Sequence, residues 1–265
     1  MAGQTTGTLQ RTLNRLGRIS RRAGQRVKGL PLRASSRRNG LPVPPGRLIF
    51  LVAGTEDVSW FLDSGAVAHQ CLRDTLARNG VAIESLRSVL DFGCGVGRVM
   101  RHWDQSSGTA LHGSDYNPEL VAWCRNHLPA ASFQVNGIDR PLASPDASFD
   151  FVYALSVFTH LSESLQTFWR DELVRVLRPG GHLFLTTHGE FYLDRLDEAQ
   201  QKDFQAGKLV VVQAGRQGSN HCATFHPESY VRGPLAEGFD VVDFMPRGAL
   251  GNPCQDAVLL RKKGA

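Results

Sequence analysis

Residues 89–98 read VLDFGCGVGR, an apolar run ending in an acid and then in three glycines at alternate positions. A buried strand that breaks into a glycine-rich turn is a strong constraint on topology. Such a turn lets the backbone approach a ligand with no Cβ in the way, and it belongs to sheets covered by helices. The sequence downstream agrees. From residue 88 the pattern alternates, with strands expected at 88–92, 109–114, 132–135, 149–154, 181–187, 238–244 and 256–262. Helices are expected at 96–104, 117–127, 162–177 and 227–234, after an earlier one at 66–79. Strands and helices joined by short connections predict an α/β fold with a mostly parallel sheet, helices on both faces and a closing hairpin. LRPGG at 177–181 reads as a helix stop and a turn into the fifth strand.

The glycine spacing narrows the ligand. A dinucleotide fingerprint is G-x-G-x-x-G, with a pyrophosphate on the helix N-terminus. The third glycine would fall at position 98, which is Arg98. Asp91, at the end of the strand, would repel a pyrophosphate and attract an ammonium or a sulfonium. S-adenosyl-L-methionine (SAM) carries both cations. Asp115 ends the next strand, 24 residues later, where a carboxylate accepts from ribose hydroxyls. Tyr116 follows it and is placed to cover an adenine face, and Asn117 reads as the cap of the next helix.

VLDFGCGVGR, GSDYNP, SFDFVYALSVFTHL and LRPGGHLFLTTHG together resemble the ordered motifs of class I SAM-dependent methyltransferases, of the type 11/12-like group. The resemblance implies a doubly wound, Rossmann-like, seven-stranded sheet with its last strand antiparallel. It implies SAM as cofactor, contacted by Asp91, Gly93, Cys94, Gly95, Asp115 and Tyr116. Family members often carry an acid after the third strand that reads the adenine amino group. Here Ile138 stands at that place, beside Asp139, so the backbone at Gly137 and Ile138 is the expected contact.

By the same resemblance the acceptor side follows the fourth strand, at ALSVFTHLSE. His160 is the candidate catalytic base, and Phe158, His188, His221 and His226 are the candidate substrate contacts. Ser156 and Thr159 also stand at this pocket or serve the turn. No third ligand accompanies His221 and His226, so no metal site is expected. Several acceptor classes lack their signatures. The position of the Asp/Asn-Pro-Pro-aromatic motif reads Ala154-Leu155-Ser156-Val157. No cysteine lies between Cys124 and Cys222, and no glutamate between Glu119 and Glu163. A hydroxyl of a small molecule, lipid or glycan remains. SVFTHLSESLQTFWRDELVRVLRPGG is also similar to bacterial methyltransferases found with sugar-modifying enzymes.

Charge divides the chain. Residues 1–40 hold nine Arg, one Lys and no acid, whereas the rest carries 20 basic and 25 acidic side chains. The overall +5 therefore comes from the N-terminal end. Residues 1–45 read as a flexible basic arm and linker, with a weak helical pattern of Leu9, Leu13, Leu16 and Ile19. Three readings stay open for it: a solvated arm, a helix docking on an anionic membrane surface, and nucleic-acid contact or an organellar transit peptide. Residues 46–265 read as the methyltransferase domain, with 46–87 as a helical lid and 189–235 as a substrate-side insertion. No apolar run is long enough to span a membrane. Five widely spaced cysteines without a CxxC suggest a reducing compartment, each thiol a small buried apolar group. The expected location is cytoplasmic, or peripheral to a membrane through the arm. Rival functions are a non-catalytic SAM-binding protein, an RNA methyltransferase recruited by the arm, and a nicotinamide-dependent oxidoreductase.

Overall fold

A computed structural model describes residues 37–38, 40–104, 107–213, 215 and 222–264. The reading of residues 1–36 and the candidate His221 lie outside them. A two-residue antiparallel pairing of Arg37–Arg38 with Leu41–Pro42 precedes two helices, α1 (Gly46–Ala53) and α2 (Val58–Arg78). The expected start of α2 at 66 is eight residues late. Asp57 caps the helix by accepting from the Trp60 N–H at 3.0 Å, and this moves the start forward.

Seven strands form one sheet: β1 (Ser88–Phe92), β2 (Ala110–Asp115), β3 (Ala131–Val135), β4 (Phe149–Ala154), β5 (Leu177–Thr187), and, after a small hairpin of β6 (Val210–Val212) with β7 (Ala223–Phe225), β8 (Phe239–Met245) and β9 (Asp256–Lys262). The order across the sheet is β8-β9-β5-β4-β1-β2-β3. β9 runs antiparallel to both neighbours, and the other large-sheet pairs are parallel. All five residues of β1 are buried, as a central parallel strand covered on both faces requires.

α3 (Pro118–His127) and α4 (Glu163–Val176) flank the sheet. Asn117 caps α3 through the Glu119 N–H, Pro118 stands at its first position, and Ser162 caps α4. Side chains alternate across the sheet. Val89, Phe151 and Tyr153 join the core under α1, α2 and α3, while Leu90, Phe149 and Val152 join the core with Trp169 and Leu173 of α4. The inserted α5 (Glu198–Gln205) and the β6–β7 hairpin build a small third core from Tyr192, Leu196, Phe204, Val210 and Phe225, ahead of the short α6 (Glu228–Arg232).

Three expectations change. The helix at 96–104 is instead a run of turns with one 3-10 turn at Met100–His102. Trp103 leaves helical angles (φ −68°, ψ 141°) to bury its ring, so the segment stops there. LRPGG does not separate helix from strand, because α4 passes directly into β5 at Leu177. Two steps along β4 match five along β5 there, a bulge that absorbs the extra residues. Four cysteines are buried, but Cys254 is exposed.

Candidate active site

The parallel register places Asp91 between Gly113 of β2 and Tyr153 of β4, at the carboxyl edge of the sheet. This edge at β1 is where the chain order reverses, the usual place for a ligand crevice in such sheets. Asp91 is only 5% exposed. Burial drives its pKa up to about 7, and Asp115 adds to the rise, while the Tyr153 hydroxyl and the Arg98 guanidinium oppose it.

Arg98 is itself buried. It donates to Ser64 Oγ (3.2 Å), Gly251 O (3.0 Å) and Asn252 Oδ1 (2.7 Å), and its guanidinium lies 5.8 Å from the Trp60 ring centroid. Burial lowers its pKa to about 10, so it stays charged at neutral pH. In the sequence Arg98 only broke a dinucleotide fingerprint; in the fold it is the counter-charge of Asp91.

The turn after β1 is held by the Gly93 and Cys94 N–H groups, which donate to Ser114 O at 2.8 and 2.9 Å. Gly93 and Gly95 take φ of 79° and 54°. A Cβ on Gly93 would lie 2.4 Å from Val157 Cγ2, and one on Gly95 would lie 2.8 Å from Val52 Cγ2 of α1. The tight turn therefore needs glycine on both counts. Asp115 is fixed from both sides, accepting from the Gly95 N–H and the Asn117 N–H at 2.9 Å each. Cys94 sits in the turn as expected, but its thiol faces inward, toward Gly113 and Cys124, so only its backbone is open to a ligand.

Beyond β3, the Asn136 N–H donates to Asp115 O at 3.1 Å. The Ile138 carbonyl accepts from Trp169 Nε1 at 2.8 Å, which leaves its N–H as the group available there. Asn136 Oδ1 is buried and has no hydrogen-bond partner among the described residues. Sequence reasoning passed over Asn136. This orphaned acceptor lies one residue from the Gly137–Ile138 backbone, and a donating amino group would satisfy it. Tyr116 is half exposed beside this edge.

The residues fit SAM. Two buried acids flank the turn, and both carry raised pKa values, which a cation would relieve and a phosphate would worsen. Asp115 stands at the second strand end, and an unsatisfied acceptor waits beyond the third.

The expected acceptor side carries a hydrogen-bond network at the same edge. Ser156 takes φ 58°, an uncommon angle for a non-glycine, with its N–H on Thr186 Oγ1 at 2.8 Å. Its hydroxyl donates to Gln255 Oε1 (2.9 Å), and Gln255 Nε2 donates to His188 Nε2 (3.3 Å). His188 Nδ1–H donates to Thr224 O (3.2 Å), and burial lowers its pKa to about 4. Both nitrogens of His188 are thus engaged in a neutral ring. His160 lies 6.4 Å away, centroid to centroid, and its Nδ1–H donates to Cys222 O at 2.7 Å. The carbonyl fixes that tautomer, and the Nε2 lone pair has no partner among the described residues. Burial also lowers the His160 pKa, so the ring is neutral at pH 7.

Two of the expected substrate contacts are buried. Phe158 is 0% exposed inside the α4 core, because the 3-10 turn at Phe158–His160 points it under the sheet edge. His226 is 1% exposed, with its Nε2–H on Gln166 Oε1 at 3.2 Å, and burial lowers its pKa to about 3. Gln166 in turn bonds the Phe158 and Leu161 carbonyls, so His226 braces the turn that carries His160. A cavity of about 320 Å³ opens against His226, Gly189, Phe191 and Asp256, and the turn after β1 does not line it.

This strand order is that of the class I SAM-dependent methyltransferase fold, and the acidic, glycine-lined turn fits the cofactor of that class, SAM. Residues 90–185 match the family described as "Methyltransferase domain". Curated relatives include a malonyl-[acyl-carrier protein] O-methyltransferase of Enterobacter lignolyticus, 36% identical over 112 residues, covering 42% of this chain and 43% of the relative. A chloroplastic tocopherol O-methyltransferase of Arabidopsis thaliana is 31% identical over 126 residues, covering 44% and 35%. A sterol 24-C-methyltransferase of Schizosaccharomyces pombe is 35% identical over 98 residues, covering 35% and 25%. The match thus spans between a quarter and under half of these relatives. Among solved structures, a putative sarcosine dimethylglycine methyltransferase from Galdieria sulphuraria shares the fold, with a TM-score of 0.53 and 14% identity over 74% of this chain and 85% of that one. A SAM-dependent methyltransferase from Methanosarcina mazei does so with a TM-score of 0.50 and 21% identity over 67% and 93%.

Proposed function

We propose that the protein transfers a methyl group from SAM to a hydroxyl of a small molecule, a lipid or a glycan. The observation that carries the acceptor chemistry is the lone pair on His160 Nε2, held in one tautomer by the Cys222 carbonyl. Asp91, the turn at Gly93 and Gly95, Asp115, Tyr116 and Asn136 would hold the cofactor. When bound, SAM supplies a methyl carbon activated by its sulfonium.

The chain's own work is to align an acceptor and take its proton. A neutral imidazole at the sheet edge accepts that proton at Nε2, and the Cys222 carbonyl steadies the resulting imidazolium through Nδ1–H. Ser156, Gln255 and His188 form a fixed polar wall beside it. The β6–β7 hairpin supplies the Cys222 and Thr224 carbonyls, which supports reading 189–235 as an acceptor-side insertion. The relatives named for malonyl-acyl-carrier-protein, tocopherol and sterol methylation support acceptors that are small or lipid-like.

The test is transfer of labelled methyl from SAM into pools of hydroxylated small molecules, lipids and glycans. With a competent acceptor, His160→Gln should lower kcat by about 10²–10⁴-fold and leave SAM affinity unchanged. An unchanged kcat would remove His160 from the chemistry. SAM binding without transfer to any pool would favour the non-catalytic reading.

A further inference from the structure

We propose that α1 docks this protein on an anionic lipid surface. Leu48 and Ile49 bury one edge of α1 in the core, which fixes the helix to the body of the domain. The next two residues point outward. Phe50 is 46% exposed and Leu51 is 42% exposed. Four of the nine large apolar side chains exposed among the described residues, Phe50, Leu51, Trp60 and Val67, sit on α1 and α2. Scattered single exposures need no explanation, but Phe50 and Leu51 are exposed side by side on one helix.

Charge identifies the occupant. The 40 residues that lead into this helix carry ten positive charges and no acid. Arg47, within α1, is already neutralised by Glu119 of α3. A polybasic segment is drawn to the negative potential of anionic lipid, and each cation near the surface adds to the attraction. One signal of this kind gives only weak, reversible attachment, and a second apolar signal makes it stable. Phe50 and Leu51 are that second signal, on a helix that starts at Gly46, six residues after residue 40. RNA would also attract the charges, but it offers no apolar phase to a leucine, so lipid fits both features.

The placement bears on the site. Val52, next to Leu51, packs over Gly95 of the cofactor turn. The helix that meets the bilayer is therefore also the wall of the SAM cleft. Resting on the methyltransferase reading, this puts the reaction edge near the lipid phase and favours a lipid-borne acceptor.

Flotation of the full-length protein with phosphatidylcholine vesicles, with and without phosphatidylglycerol, tests the docking. The protein should float only with the phosphatidylglycerol vesicles. Phe50→Ser combined with Leu51→Ser should lower that partition about tenfold or more, as should Arg11→Gln, Arg15→Gln, Arg18→Gln, Arg21→Gln, Arg22→Gln and Arg26→Gln combined. Unchanged melting temperatures exclude unfolding as the cause, since Phe50 and Leu51 are exposed. No flotation with phosphatidylglycerol, or flotation that the apolar pair does not affect, would overturn the proposal. Preference for single-stranded RNA over the vesicles would overturn it in favour of nucleic acid. SAM titration of the same samples reads the cofactor site independently, so the two readings fail separately.

Discussion

Asp91→Asn should bind SAM about 100-fold more weakly than the natural chain, a loss of about 2.7 kcal/mol, and yet unfold at a higher temperature. Both effects follow from one buried carboxylate. Its folded pKa of about 7 stands well above the ordinary aspartate value of 3.8. The sign is therefore opposite to that of a carboxylate in a favourable ion pair. Ionisation is disfavoured in the fold, so the ligand-free protein loses stability as pH rises from about 4 to about 7. At pH 8 the burden is on the order of 4 kcal/mol, and an amide of the same shape removes most of it. The Arg98 guanidinium keeps its bonds to Ser64, Gly251 and Asn252 in the variant, which limits the offsetting cost.

A bound cation reverses the balance, because it stabilises the ionised form. SAM affinity of the natural chain should accordingly fall about tenfold from pH 8 to pH 6, as Asp91 takes up a proton. The Asn variant should show little change across that window. Calorimetric titration at several pH values and thermal melts without ligand check both halves. A variant that binds SAM normally, or that is markedly less stable at pH 8, would contradict this role for Asp91.

The second large effect lies in the turn itself. Gly93→Ala meets two obstacles, a φ of 79° and a Cβ position 2.4 Å from Val157 Cγ2. Left-handed strain in an L-residue and overpacking each cost about 1–3 kcal/mol. The melting temperature should fall by about 5–10 °C for a chain of this size. SAM affinity should fall as well, because the Gly93 and Cys94 N–H groups hold the turn against Ser114. Adding Val157→Ala removes the clash but not the dihedral strain, so the double variant should recover only part of the loss. Full recovery would mean that the φ requirement is unimportant, and no recovery would mean that the contact is.

Much of this was legible in the sequence because its chemistry is local. The acid of β1, the glycines after it and the acid of β2 occur at strand ends that hydrophobic patterning locates, and Asn117 and Ser162 act as caps within three residues of the groups they bind. The parts that escaped depend on register and on distant chain. Tyr153 stands beside Asp91 only because β4 pairs with β1 at that step. Arg98 turns inward only because Gly251 and Asn252 come back to meet it. Gln255 joins Ser156 across 99 residues of chain. The polar character of His226 hid a bracing role under the turn, and Phe158, beside the candidate base, was needed for packing. A helical period after Gly97 was overridden by burial of Trp103, a tertiary effect that local propensity does not contain.

The central claim is that the acidic, glycine-lined turn receives a sulfonium rather than a dinucleotide phosphate. Isothermal titration of the full-length protein with SAM, and separately with NADH, tests it most directly. Saturable SAM binding at one site per chain, with no NADH binding, is the predicted result. NADH binding without SAM binding would contradict it.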